Sequence, residues 1–258
     1  MTVAPKKAYG QHFLADRNIL GVIGRLAELD PGDVVLEIGP GLGVLTGYLA
    51  DRVRLVHAVE VDRSLEPHLA AVSANAPNVR LVWGDALRLD LGRLDPPPTK
   101  LVANLPYNVA TPIVVESLVG LPSIERWTVM VQREVADRFF AVHGTKAYGA
   151  VSVLVQLATE KTGFHPVART VFRPPPNVDS ALVAFRRRPL PQDFGGVKRL
   201  VEAAFAHRRK TLPNSLELAG LVGRADAAAA LAALGRDAST RAEELAPPDF
   251  VALRDALP

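Results

Sequence analysis

Residues 34–43 read Val34-Val35-Leu36-Glu37-Ile38-Gly39-Pro40-Gly41-Leu42-Gly43. The first five are nearly all apolar and of strand length, which predicts a strand buried on both faces. Three glycines at alternate positions then make a strand-to-helix turn, where they permit positive φ and let the backbone approach a ligand closely. Outward from this stretch the pattern repeats. Strands are predicted over 55–61, 79–83, from Leu101 onward and over 127–131, with helices over 44–51, 64–75 and 111–118. Apolar strands alternating with helices predict a doubly wound α/β domain. Ahead of it, Asp16 can cap a helix whose Ile19, Leu20, Ile23, Leu26 and Ala27 share one face. Behind it, 134–142 reads as helix and 150–158 as helix or strand. Residues 180–185 alternate like a strand that could return antiparallel at the sheet edge.

The composition shifts at Pro189-Leu190-Pro191. Beyond it Leu200, Ala204, Leu218, Leu221, Leu231 and Leu234 recur at helical spacing, punctuated by Gly220, Gly223 and Gly235. The expected division is therefore 1–188, the α/β domain, and 189–258, a small all-helical domain. Of the 258 residues 48% are hydrophobic and 22% charged, ordinary for a soluble globular chain. There is no cysteine, which excludes disulfides, thiolate catalysis and cysteine-bound zinc and fits a reducing cytoplasm. No apolar run reaches membrane-spanning length, and residues 1–10 carry lysines without the apolar core of a signal peptide. The net charge is +3, but residues 186–210 hold eight Lys/Arg against Asp193 and Glu202, so that window is +6 and the remainder −3. A basic patch on a near-neutral body suggests a polyanionic partner, although such runs are usually solvated faces.

Two constellations carry chemistry. The first lies at three successive strand ends: the turn with Gly39 and Gly41, then Glu60, then Gly84-Asp85. Glu60 follows Gly39 by 21 residues and can accept both hydroxyls of a ribose. Asp85 can accept the N–H of an adenine amino group. A dinucleotide site would look similar, so an NAD-dependent enzyme is a competing reading, but the spacing here is G-x-G-x-G rather than G-x-G-x-x-G. Singly, each acid reads as a capping or solvated carboxylate; the three together favour a nucleoside cofactor. The second constellation ends the apolar run Leu101-Val102-Ala103 with Asn104-Leu105-Pro106-Tyr107. Proline removes a backbone donor and biases Leu105 toward an extended conformation, making a rigid corner where open α/β sheets bind ligands. An amide, outward carbonyls and an aromatic ring suit a planar heterocycle bearing an exocyclic amine.

Asn104-Leu105-Pro106-Tyr107 resembles the catalytic motif of adenine N6-methyltransferases that use S-adenosylmethionine (SAM). From about Ala8 to about Leu216 the chain resembles the ribosomal RNA adenine N6,N6-dimethyltransferases of the small-subunit type. The resemblance implies a Rossmann-like, seven-stranded SAM-dependent methyltransferase domain followed by a helical RNA-binding domain. It assigns Asn104, Leu105 and Tyr107 to the target adenine, with Phe172 of Phe172-Arg173-Pro174-Pro175-Pro176-Asn177-Val178-Asp179-Ser180 as a second aromatic wall. From the residues alone, Phe172 reads as core. It assigns Gly39, Gly41, Glu60, Asp85 and Asn104 to the cofactor, with His12 and Leu14 of Gln11-His12-Phe13-Leu14. The family usually has Asn where this chain has His12, which adds a titratable group. Arg208, Arg209 and Lys210, in Phe205-Ala206-His207-Arg208-Arg209-Lys210-Thr211-Leu212, match its RNA-contact segment, and Gln132-Arg133-Glu134-Val135-Ala136 resembles a further family segment, of no assigned contact, expected to border the site. The implied substrate is two adjacent adenines in a loop of small-subunit ribosomal RNA within a ribosomal particle. The implied enzyme is a cytoplasmic monomer without a metal. Two alternatives stay open: the large-subunit, macrolide-resistance type, and a nucleic-acid-binding assembly or transcription factor of the same fold.

Overall fold

A computed structural model describes residues 11–258. Residues 1–10, read above as lacking a leader's apolar core, lie outside the described residues. Contacts divide the chain into two units, one of residues 1–136 and 161–187, the other of 137–160 and 188–258. The boundary near 188 coincides with the composition shift. Residues 137–160, however, group with the helical unit, against the linear division at 188/189. An interior helix rich in Val and Leu carries no signal of which core it joins.

The first unit opens with β1 (Phe13–Leu14) and α1 (Asn18–Ala27), where Asp16 accepts the Asn18 N–H at 2.8 Å. Then come β2 (Val34–Ile38), α2 (Val44–Ala50), β3 (Leu55–Glu60), α3 (Glu66–Asn75), β4 (Val79–Trp83), β5 (Lys100–Asn104), α4 (Ala110–Gly120), β6 (Arg126–Gln132) and the start of α5 (Arg133–Phe139), whose last residues belong to the second unit. The remaining strands are β7 (Thr159–Val167), β8 (Phe172–Arg173) and β9 (Ser180–Arg187). Seven strands form one sheet in the order β4-β3-β2-β5-β6-β9-β7. β2 pairs in parallel with both β3 and β5, so the order reverses there. A reversal leaves a crevice outside the carboxyl ends of the two central strands. Those ends bear the glycine turn and the Asn104 corner, so topology alone brings the two motifs together.

Every residue of β2 and β3 is buried, including Glu37 and Glu60, as their apolar composition requires. Ile19, Leu20, Ile23 and Ala27 of α1 join Val35, Val56, Val102, Met130 and Leu182 in one core. β9 does return antiparallel, against β6, with Trp127 opposite Phe185. It is not the edge: β7 lies outside it. β7 escaped the sequence reading because it is only half buried. Lys161 and Thr162 are exposed, and a side chain at Gly163 would strike Leu26. β1 and β8 pair separately, Leu14 against Phe172.

The second unit is helical: α6 (Ala150–Ala158), α7 (Phe194–Ala206), α8 (Leu212–Leu218), α9 (Arg224–Ala233) and α10 (Pro247–Ala256). Its core is partly aromatic. Tyr148 is fully buried, donates to the Leu245 carbonyl at 2.8 Å and meets Phe205 edge-on, with Phe250 beyond. Leu200, Ala204 and Leu231 are buried as expected, whereas Leu218 and Leu221 face solvent.

Candidate active site

A cavity of about 330 Å³ opens at the strand-order reversal. That size is in the range of small-molecule sites. Its lining includes His12, Leu14, Gly39, Gly41, Glu60, Asp85, Asn104, Leu105 and Tyr107. The glycine turn forms one wall. Gly39 and Gly41 have φ of +74° and +59°; a Cβ at Gly39 would lie 3.4 Å from the Pro106 ring, and one at Gly41 3.0 Å from the Phe13 ring. Glycine at these two positions lets the turn lie close against Pro106 and Phe13, which line the same cavity.

Glu60 supports this wall from beneath. Its Oε2 accepts the Gly41 N–H at 3.2 Å, and its Oε1 accepts those of Val61 and Asp62 at 2.9 and 2.8 Å. A carboxylate offers about four lone-pair sites. Three are engaged by backbone N–H groups, and the carboxylate still lines the cavity. Burial pushes its carboxyl pKa up, and Asp62 adds to this, while the three N–H bonds oppose it. Asp62 was missed by sequence reasoning: it is buried and accepts from Ser64 and, at 3.0 Å, from Gln11 Nε2. Asp85 ends β4's turn, where it accepts the Leu87 N–H at 3.0 Å and faces Arg88 at 3.5 Å while lining the cavity. It is thus a turn-forming carboxylate as well as a cavity group.

At the other wall Asn104 donates from Nδ2 to the His12 carbonyl at 3.1 Å. A carbonyl only accepts, so the amide's orientation is fixed and Oδ1 is left as the acceptor. The His12 ring stacks on Tyr107, with centroids 5.3 Å apart, and its Nδ1 meets the Pro174 carbonyl at 2.9 Å. Tyr107 is held from its other end by Ser180, with 2.5 Å between hydroxyls. Burial pushes the Tyr107 hydroxyl pKa up, partly offset by Ser180. The structure places Phe172 elsewhere. It is 1% exposed, sits in the core with Leu14 and Leu20, and is not a cavity residue. The packing reading of its ring holds, and the aromatic ring facing Tyr107 is His12. Arg208, Arg209 and Lys210 follow α7 in the helical unit and are exposed. Arg208 is tied to the Tyr148 carbonyl at 3.1 Å and to Glu243 at 3.3 Å.

A family model described as Ribosomal RNA adenine dimethylase matches residues 3–250. The chain belongs to this family. A protein of Rubrobacter xylanophilus named Ribosomal RNA small subunit methyltransferase A is 52% identical over 253 residues, 98% of this chain and 95% of that one. Its namesake in Thermobifida fusca is 46% identical, over 99% and 91% of the two chains. Among solved structures, the 23S rRNA methyltransferase ErmE is similar with a TM-score of 0.67 and 32% identity, covering 95% of this chain and 99% of that one. A dimethyladenosine transferase from Plasmodium falciparum has a TM-score of 0.76 at 24% identity, over 94% and 96% of the chains, and shares the fold. The seven-stranded Rossmann-like methyltransferase sheet expected from sequence is therefore present, with helices following it.

Proposed function

We propose that this adenine dimethyltransferase methylates N6 of two adjacent adenines in a loop of small-subunit ribosomal RNA, using SAM. The observation that carries this reading is the fixed amide of Asn104 at the mouth of a nucleoside-sized cavity, with Tyr107 beside it. The small-subunit choice is supported by the 52% identity to a small-subunit enzyme, against 32% to a 23S enzyme. Bound SAM would supply a methyl group already activated on a sulfonium. Gly39 and Gly41 would line its methionine end with His12 and Leu14; Glu60 would accept the ribose hydroxyls, and Asp85 the adenine amine.

The chain's own task is to make N6 of the target a nucleophile. That nitrogen's lone pair is delocalised into the ring. Asn104 Oδ1 and the Leu105 carbonyl accept its two N–H bonds, which favours a tetrahedral nitrogen, aims its lone pair and stabilises the charge that develops there. The base lies on Tyr107, whose ring is held by His12 and Ser180. After transfer N6 is a strongly acidic ammonium and loses its proton to water, so no side-chain base is needed. The helical unit binds RNA through Arg208, Arg209 and Lys210. The enzyme acts as a cytoplasmic monomer on a ribosomal particle; among the described residues no helix is long and apolar enough to cross a membrane.

The test supplies methyl-labelled SAM to unmethylated small-subunit particles and to large-subunit RNA, then maps the label. Two adjacent small-subunit adenines are expected to carry it, and label confined to large-subunit RNA would reverse the assignment. Asn104→Ala is expected to slow single-turnover transfer by roughly 10²–10³ with a smaller loss of RNA binding, as for loss of one preorganised transition-state hydrogen bond. Near-parental turnover would reduce the Asn104 corner to a structural turn.

A further inference from the structure

We propose that a second cavity, next to the adenine end of the cofactor site, takes an apolar group carried on N6 of an adenosine ligand. The inference rests on the SAM reading of the first cavity and deepens it.

Position is the first argument. The second cavity has a volume of about 270 Å³ and is lined by Ile113 and Gly120 of α4 and by Leu87, Leu89 and Leu91 of the segment after β4. Asp85 folds that segment back on itself. Its side chain accepts the Leu87 N–H at 3.0 Å, and its carbonyl accepts those of Arg88 and Leu89, both at 2.9 Å. Ile38, Ala86 and Ile113 line both cavities, so the two share a wall. The separation is small elsewhere too: a Cβ at Gly84, in the first cavity, would lie 3.0 Å from Leu89, in the second.

The lining sets the chemistry of the occupant. Ser117 is buried and its hydroxyl is engaged, donating to the Val114 carbonyl at 2.7 Å and accepting from the Trp127 indole at 2.8 Å. Asp90 and Glu116 are exposed, and Asp90 pairs with Arg93 at 3.2 Å. Leu87 is 41% exposed, a large apolar side chain that an occupant would take out of water. An apolar cavity of about 150 Å³ holds a benzene ring, so a benzyl group is within reach of this one. Asp85 gives the route. An adenine amine has two N–H groups, and the carboxylate needs only one of them. Carbon in place of the other hydrogen keeps that bond and leads the substituent to the wall where Ala86, the residue after Asp85, has a side chain of one methyl.

The experiment uses the full chain, with S-adenosylhomocysteine and its N6-benzyl derivative as ligands, by calorimetry. The derivative should bind roughly tenfold tighter, as for burial of one large apolar side chain. A Cβ at Gly120 meets no atom within 4 Å, so Gly120→Leu adds bulk at the second cavity without a clash. It should abolish the gain and leave S-adenosylhomocysteine binding unchanged. Leu87→Ser, at an exposed position, should reduce the gain without disturbing the fold. A derivative that binds no tighter than S-adenosylhomocysteine would overturn the second site and leave the cofactor reading standing. A gain that survives both substitutions would also overturn it, because the benzyl group would then lie elsewhere. If neither ligand binds, the cofactor reading fails and the second site falls with it.

Discussion

Glu37 is 1% exposed, and its Oε2 has no hydrogen-bond partner among the described residues. Burial raises its carboxyl pKa from 4.5 to about 8; nearby Glu60 adds to this and the Thr46 hydroxyl opposes it. An acid whose pKa is raised by folding keeps its proton after the unfolded chain has lost it. Between pH 4.5 and about 8 the unfolded state binds fewer protons, so stability falls as pH rises through that window. Glu37→Gln resembles the protonated form and lacks this loss. The variant's melting temperature relative to the parent should therefore rise from pH 5 to pH 8 and level off above. A difference that does not vary with pH would show that Glu37 is ionised in the fold. Nothing in the sequence announced this state, because the residue type is the same whether its partner is water or Val. Phe172 carries two readings for a similar reason: an aromatic ring suits a core, as its residues suggest, and a base-stacking wall, as the resemblance implies, and here it is buried and paired with Leu14 across β8 and β1.

At the scale of elements, legibility followed burial. β2, β3, β5 and β6 are buried along most of their length and edge strand β4 is still largely apolar, so composition distinguishes them, and the strand ends then locate Gly39, Glu60, Asp85 and Asn104. β1 and β8 are two residues each and exist only through a partner over 150 positions away, which no local pattern encodes. Yet the segment holding β1 crosses the cavity and is tied at several points: Gln11 to Asp62, His12 to Asn104, Tyr107 and Pro174, and Phe13 against Gly41. That packing makes Gly41 a joint between two elements. Gly41→Ala places an L-residue at φ +59° and a methyl 3.0 Å from the Phe13 ring. The left-handed conformation alone costs about 1–2 kcal/mol. Gly41→Ala should lower the melting temperature and weaken SAM binding. Adding Phe13→Leu should recover part of the affinity but not the backbone cost. If Gly41→Ala binds SAM as the parent does, the segment does not press on the turn.

For the whole molecule, charge is the property the sequence exposed best and the fold refined most. The +6 window over 186–210 is not one uniform patch. Arg186 and Arg187 lie on β9, where the Arg187 guanidinium donates to the Leu118 and Leu121 carbonyls at 2.9 Å and caps α4. Arg188 pairs with Glu160 at 2.8 Å. These charges stabilise structure. Arg208 is of the same kind, held by Tyr148 and Glu243 inside its unit. Arg209 and Lys210 have no carboxylate partner among the described residues and are exposed. The RNA contribution of the Arg208 to Lys210 segment should therefore divide unevenly. Arg209→Glu with Lys210→Glu should weaken RNA binding and cut the salt slope by about 1.5, since each phosphate contact releases about 0.7–0.9 of a counterion. The melting temperature and SAM affinity should hold. Arg208→Ala should instead lower the melting temperature and change the slope by less than half as much as the double variant. A large slope change from Arg208→Ala with unchanged melting would place that guanidinium on the RNA and its Glu243 pairing among exchangeable surface contacts.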